Sequence, residues 1–371
     1  MRPAPLREAL NRLAQRGGAE LTKSNLHMAR SAMVDELDEL LAGLIGDAVR
    51  SQIAAGLDVV TDGEYRRMFF TGSFDAAIRG FQPSTEKRLM TGPDGRQVER
   101  PERPVVGQRL VRVSNPLARE AEFMASISDR AFKVTIPAPS MYCWYGVFTP
   151  GITDRFYADQ DELADHVVAL MREIVDEAVT AGARYVQFDF PFYPLFVDPS
   201  HRQRWGRFGI DDDEAYLDRL LRVDAAVIDR LPDTVHTTLH ICRGNAGEYW
   251  MASGALDPIA ERVFSLPYDS FLVEWDDKQR DGDYSALRYV PRGGGPIVGL
   301  GVVSTKRQEL ESEDWVLGEI EEACGYLDVD RLALSPQCGF GTVPGMESAS
   351  EDLQWRKLEL VGRVADRVWP R

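Results

Sequence analysis

His240 and Cys242 stand two residues apart at the close of an apolar, β-branched run, TVHTTLHIC. In a strand, positions i and i+2 face one side, so this end would present an imidazole and a thiol together. Both are zinc donors, with packing at a strand end as the competing reading. Two later apolar runs end on further donors: Glu274 closes FLVE, and Cys338 follows LALSPQ. The set His240, Cys242, Glu274 and Cys338 would give Zn²⁺ one nitrogen, two sulfurs and one oxygen. Arg243, next after Cys242, is placed either to clamp a carboxylate or sulfonate or to pair with one of the chain's many acids.

These donors lie up to a hundred residues apart, so a fold that gathers strand ends has to position them. Short apolar runs at residues 56–64, 131–140, 183–190, 235–242, 270–277, 296–304 and 331–339 read as buried strands. Segments at 161–183, 213–231 and 352–369 carry apolar residues at three- to four-residue spacing and read as helices, as does 34–56. Strands alternating with helices predict βα units and a parallel sheet. The legible strands fall one short of a (β/α)8 TIM barrel. The rival doubly wound sheet usually carries GxGxxG after its first strand, and no strand here is followed by it. The α/β barrel is therefore the expected fold. Its first strand is expected to be irregular or missing, since only AELTKSNL, residues 19–26, offers a place for it. The whole chain, residues 1–371, is expected to form one barrel domain. A charged, Pro- and Gly-rich excursion at 83–104 should be a hairpin or long loop. Chemistry in such barrels sits at the C-terminal ends of the strands, where all four donors fall.

Composition narrows the partners. A formal net charge of −16 argues against nucleic acid or an anionic membrane. No apolar run reaches the ~18 residues of a membrane span, and the N-terminal stretch lacks the apolar core of a signal peptide. A cytoplasmic location is expected. The four cysteines should then be reduced. Besides the two proposed ligands, Cys143 is expected to line the cavity and Cys324 to be core. Aromatic residues crowd MYCWYGVF and DFPFYPLF, either around the mouth of the site or as ordinary packing.

The stretches LDVVTDGEYRR, RYVQFDFP, LHICRGN, VEWDD and LALSPQCGFGT resemble the catalytic barrel of cobalamin-independent methionine synthase and its single-barrel relatives, which include the epoxyalkane:coenzyme M transferases. The resemblance runs from about residue 30 to the C-terminus. It implies a uroporphyrinogen decarboxylase/methionine synthase type of barrel. It also implies that His240, Cys242, Glu274 and Cys338 hold a zinc that activates a thiol, and that Glu64 and Asp189 bind the ammonium of homocysteine. The chain departs from the family in three places. It opens MRPAPLREA, like the tail of the family's Gly-Ser-x-x-Arg-Pro strand. The family's Asp-Glu-Pro is Asp189-Phe190-Pro191. The loop GVVSTKRQELESED lacks the histidine that full-length synthases use to protonate the leaving folate.

The expected function is zinc-dependent transfer of a methyl or other alkyl group to a small thiol, most simply homocysteine to give methionine. His240, Cys242 and Cys338 would form the catalytic centre, with Glu64, Asp189 and Arg243 binding substrate. The partners are then a small thiol and an alkyl donor, and homo-oligomerisation stays open. Alternatives are alkylation of coenzyme M, a zinc-free decarboxylase-type lyase on the same barrel, and a non-catalytic zinc-stabilised scaffold.

Overall fold

The computed structural model describes residues 1–9, 26–67, 69–85, 87–92, 94–101, 104–202, 210–341 and 348–370. A long helix, α1 (Leu26–Ala54), leads into a small antiparallel excursion. There β1 (Ile78–Gln82) pairs with β4 (Val105–Arg112), and between them β2 (Lys87–Thr91) and β3 (Gln97–Pro101) form a hairpin. The hairpin leans on the loop after a later strand: Thr91 and Trp250 exchange backbone hydrogen bonds of 2.7 and 2.9 Å.

The rest alternates strand and helix. α2 (Pro116–Ile127) precedes β5 (Val134–Pro137), and α3 (Gln160–Thr180) precedes β6 (Tyr185–Asp189). α4 (Asp213–Ile228) precedes β7 (His236–Ile241), and α5 (Asp257–Phe264) precedes β8 (Ser270–Glu274). β9 (Ile297–Val303), α6 (Glu313–Cys324), β10 (Leu332–Pro336) and α7 (Glu351–Val368) complete the chain. The helix starts are chemically marked. Asn115, Asp159, Asp212, Ser312 and Ser350 each accept a backbone N–H from the following turn through the side chain.

Strands β5 to β10 form one parallel sheet in chain order. A parallel strand roofed by helices is covered on both faces, which explains continuous apolar runs rather than alternation. β5 is buried throughout, and β9 is buried at all but its first residue. Small residues set the strand spacing. A Cβ on Gly301 would lie 2.6 Å from the Val273 carbonyl and 2.9 Å from the Gln337 Cα, so only glycine lets these three strands close up.

The run at 56–64 departs from expectation. It pairs with the sheet at one point, Val60 with Phe132. Beyond it, the Gln52 side chain takes over: its Oε1 accepts from Thr61 N at 2.9 Å and its Nε2 donates to Thr61 O at 2.8 Å. A helix side chain thus occupies the backbone groups that would otherwise extend the ladder. The wall is that of a (β/α) barrel, to which the described residues give six paired strands and the position at Val60. Residues 19–25 of the stretch read as a weak first strand lie outside the described residues, and Leu26 begins α1. Among the described residues, no helix is long and apolar enough to cross a membrane.

Candidate metal centre

β7 delivers His240 and, just past its end, Cys242. The turn after β10 delivers Cys338. One ligand atom from each lies within 4.8 Å of the others. Cys242 is buried, while His240 and Cys338 are partly accessible, so the cluster can be reached. His240 Nδ1 lies 3.0 Å from the Leu272 carbonyl, which can only accept. Nδ1 therefore carries a proton, and Nε2 is the nitrogen left for the thiols or for a metal.

The charges fit a cation. Cys242 loses a proton easily because Cys338 and His240 both hydrogen-bond to its sulfur, against the cost of burial. Cys338 holds its proton hard, because its hydrogen bond to Cys242, burial, and the charges of Cys242 and Glu274 oppose a second thiolate. Burial alone would lower the His240 pKa, yet the hydrogen bond to Cys242 and the charges of Cys242 and Asp189 push it up to about 9. An imidazole and two crowded thiols are a donor set that zinc can take, with their protons released on binding.

Glu274 does not complete this group. It joins Asp276 and Asp281 in a second, fully buried one. Its Oε1 is bound by Lys306 and, at 2.7 Å, by Arg280. Its Oε2 accepts from Arg243 N at 2.8 Å and Asn245 Nδ2 at 2.6 Å. Of the four expected ligands, the structure gathers three and sets Glu274 among cations: a buried carboxylate takes the nearest cations, and both stand beside it. Arg243 is also not a free clamp. Its guanidinium is 1 % exposed, pairs with Asp281 at 3.2 Å, and donates to the carbonyls of Gly254 and Asp281.

The two proposed ammonium ligands are close enough for the Glu64 charge to act on Asp189. Glu64 has a positive φ of 56°, a conformation that costs about 1–2 kcal/mol outside glycine. It is held there by Asp62 Oδ1, which accepts from Glu64 N at 2.8 Å, and it receives the Thr135 hydroxyl at 2.5 Å. Asp189, at the end of β6, accepts from Gln187 at 2.7 Å. Burial raises its pKa to about 7; the His240 charge lowers it and the Glu64 charge raises it further. Asp189 therefore lies within the fields of both the triad and Glu64.

Two other expectations change, and the alternative left open for the aromatic residues closes on packing. Cys143 packs beside Ala164, Val168 and Val223 rather than against the triad, and burial with the Asp224 charge raises its pKa. Cys324 is exposed, not core. Trp144, Phe190, Phe192 and Tyr193 are fully buried in one aromatic cluster, with ring centroids 4.6–5.8 Å apart. They are the packed layer under the loops.

The residues missed from the sequence are Asp276, Arg280, Asp281, Asn245 and Lys306. The signal was the alternation of charges in WDDKQRD and the lysine of STK.

The family model described as cobalamin-independent synthase, catalytic domain, matches residues 19–355. The uncharacterized protein YxjG of Bacillus subtilis is 32% identical over the whole of this chain and 92% of its own length. A methionine synthase of Sulfolobus acidocaldarius is 22% identical, over 86% of this chain and 81% of its own. A solved structure of a putative vitamin-B12 independent methionine synthase from Listeria monocytogenes superposes with a TM-score of 0.69 at 24% identity. That match covers all of this chain and 96% of the other.

Proposed function

The chain belongs to the cobalamin-independent synthase catalytic-domain family, and from that premise we propose that it moves a methyl group onto the sulfur of a small thiol, with homocysteine as the acceptor. The observation that carries this reading is the cluster of His240, Cys242 and Cys338, with Asp189 and Glu64 beside it. A thiol-activating centre next to two carboxylates suits an acceptor that has both a sulfur and an ammonium. Coenzyme M has the sulfur alone.

Zinc fits the triad, and His240 Nε2, Cys242 Sγ and Cys338 Sγ would hold it. When bound, it supplies the positive centre that lets a thiol with an ordinary pKa near ~8.5 lose its proton at neutral pH. The protein's own residues do the rest. The Leu272 carbonyl fixes the imidazole by its bond to Nδ1. Thr135 aims Glu64 by hydrogen-bonding its carboxylate. Asp189, ionised, takes the acceptor's ammonium alongside Glu64. The aromatic layer of Trp144, Phe190 and Phe192 gives the floor rigidity. In the transfer, a new S–CH₃ bond forms as the bond between methyl and carrier breaks, and that electron pair leaves with the carrier.

The deciding experiment measures zinc per chain, then assays homocysteine, coenzyme M and glutathione against several methyl donors. The expected result is about one zinc per chain and product only with homocysteine. A chain without zinc, or one that prefers a thiol lacking an ammonium, contradicts the reading.

A further inference from the structure

Thr135 on β5 and Gln187 on β6 are register partners, as are Pro137 and Asp189 at the ends of the same strands. Residues two apart on a strand share a face, so Gln187 stands directly beneath Asp189, and Lys133 beneath Thr135. The backbone ladder thus sets these side chains side by side below the strand ends. The Thr135 hydroxyl donates to Glu64. On the neighbouring strand, Gln187 Nε2 donates to Asp189 Oδ1 at 2.7 Å, and Lys133 Nζ donates to Gln187 Oε1 at 2.6 Å. Gln187 and Asp189 are buried, and Lys133 is partly accessible.

The direction of the Gln187 amide follows from its neighbours. An ammonium has donors only, so the amide oxygen must face Lys133. The NH₂ group is then turned to Asp189, and it donates there to an ionisable carboxylate, the stronger kind of hydrogen bond. Without the ammonium the amide is free to reverse, which would set its oxygen against a carboxylate oxygen. Lys133 thus decides whether Gln187 supports Asp189 or repels it. None of these donors is a candidate metal ligand, and the ladder that places them is independent of the triad.

We propose that Gln187 and Lys133 are positioning residues for the acceptor's ammonium: Lys133 sets the direction of the Gln187 amide, and Gln187 holds the Asp189 carboxylate where it takes that charge. This rests on the homocysteine reading above and deepens it. Gln187 acts through Asp189, and Lys133 acts through Gln187. A thiol without an ammonium gains nothing from a held Asp189. The relay therefore serves the choice of acceptor and not the binding of sulfur.

The test compares homocysteine with γ-mercaptobutyrate, which keeps the thiol, the carbon chain and the carboxylate and lacks the ammonium. Calorimetry on the full chain with zinc added gives a dissociation constant for each and needs no methyl donor. Wild type should prefer homocysteine. Gln187→Met should weaken homocysteine about 10-fold or more, as for a lost hydrogen bond to a charged group, and leave γ-mercaptobutyrate nearly unchanged. Lys133→Met should weaken homocysteine in the same direction but by less, and Lys133→Arg, which keeps the donors, should match wild type. In the double variant Gln187→Met/Lys133→Met, the lysine change should add nothing, because it acts through the missing amide. A merely structural role would weaken both thiols alike, and that result overturns the proposal. So does a Gln187→Met chain that keeps the preference for homocysteine. If Gln187→Met does not fold, Lys133→Met decides, and an unchanged homocysteine affinity there overturns the proposal. A wild-type chain with no preference for homocysteine overturns the acceptor reading, and this proposal with it; a preference that survives in Gln187→Met overturns this proposal alone.

Discussion

His240 and Leu272 are register partners on adjacent strands, and the imidazole Nδ1 lies 3.0 Å from the Leu272 carbonyl. A backbone acceptor thus holds the Nδ1 proton, and Nε2 is the nitrogen left for the thiols or a metal.

Loss of a sulfur from this centre should separate function from folding. Cys338→Ser is expected to lower zinc affinity by more than the about 10–100-fold that loss of an outer partner costs, and to abolish thiol transfer. The zinc-free form should melt as wild type does. Added zinc should raise the melting temperature of wild type, because it binds only the folded chain, and should not raise that of the variant. Zinc titration followed by thermal melts reads both. A collapse of the zinc-free variant, with no turnover in wild type, would support the scaffold alternative instead.

Asp189 should make homocysteine binding depend on pH. Burial favours its neutral form, and its pKa stands at about 7. The ammonium needs the ionised form, so KM should rise as pH falls through about 7, approaching tenfold per unit below it. Asp189→Asn should have a high KM at every pH and lose that limb, with zinc content unchanged. A KM profile for Asp189→Asn that still bends near 7 would assign the titration elsewhere.

Arg243 is expected to matter for stability rather than for recognition. Its guanidinium is buried against Asp281 and two carbonyls. Removing one partner of such a pair typically costs about 3–5 kcal/mol. Arg243→Met should therefore unfold at clearly lower urea. A substrate clamp would behave the other way, with an unchanged unfolding midpoint and a raised KM.

Asp224 gives a pH dependence of stability independent of the metal centre. It is buried between helices, accepts from Ser140 N, Ser140 Oγ and Tyr193 Oη, and burial raises its pKa to about 7. The folded pKa lies above the unfolded value of 3.8. Its contribution is full below 3.8 and is lost as pH rises through about 7. Asp224→Asn cannot ionise, so its stability relative to wild type should improve between pH 5 and pH 8. Urea unfolding at both values measures this; a difference independent of pH contradicts it.

Much of the architecture is legible in residue order. The runs at 235–242, 270–277 and 296–304 read as strands because covered parallel strands are apolar throughout, and they fold as β7, β8 and β9. The run at 56–64 had the same appearance and failed to pair beyond Val60, because a glutamine on α1 took its backbone groups. No local pattern reports a competitor from another element. Trp144 and its neighbours illustrate the same limit: the composition of a loop does not say whether its rings face the cavity or the core.

The sequence by itself determined that an imidazole and a thiol leave one strand on the same side, since the period of a strand is two. It also determined that Glu274 and Cys338 stand at later strand ends. Only the tertiary structure decided which of these groups meet. Cys338 closes on His240 and Cys242, whereas Glu274, at the neighbouring strand end, turns to Lys306 and Arg280. In a buried, weakly screened environment a carboxylate goes to the cations within reach, and reach is a property of the folded chain.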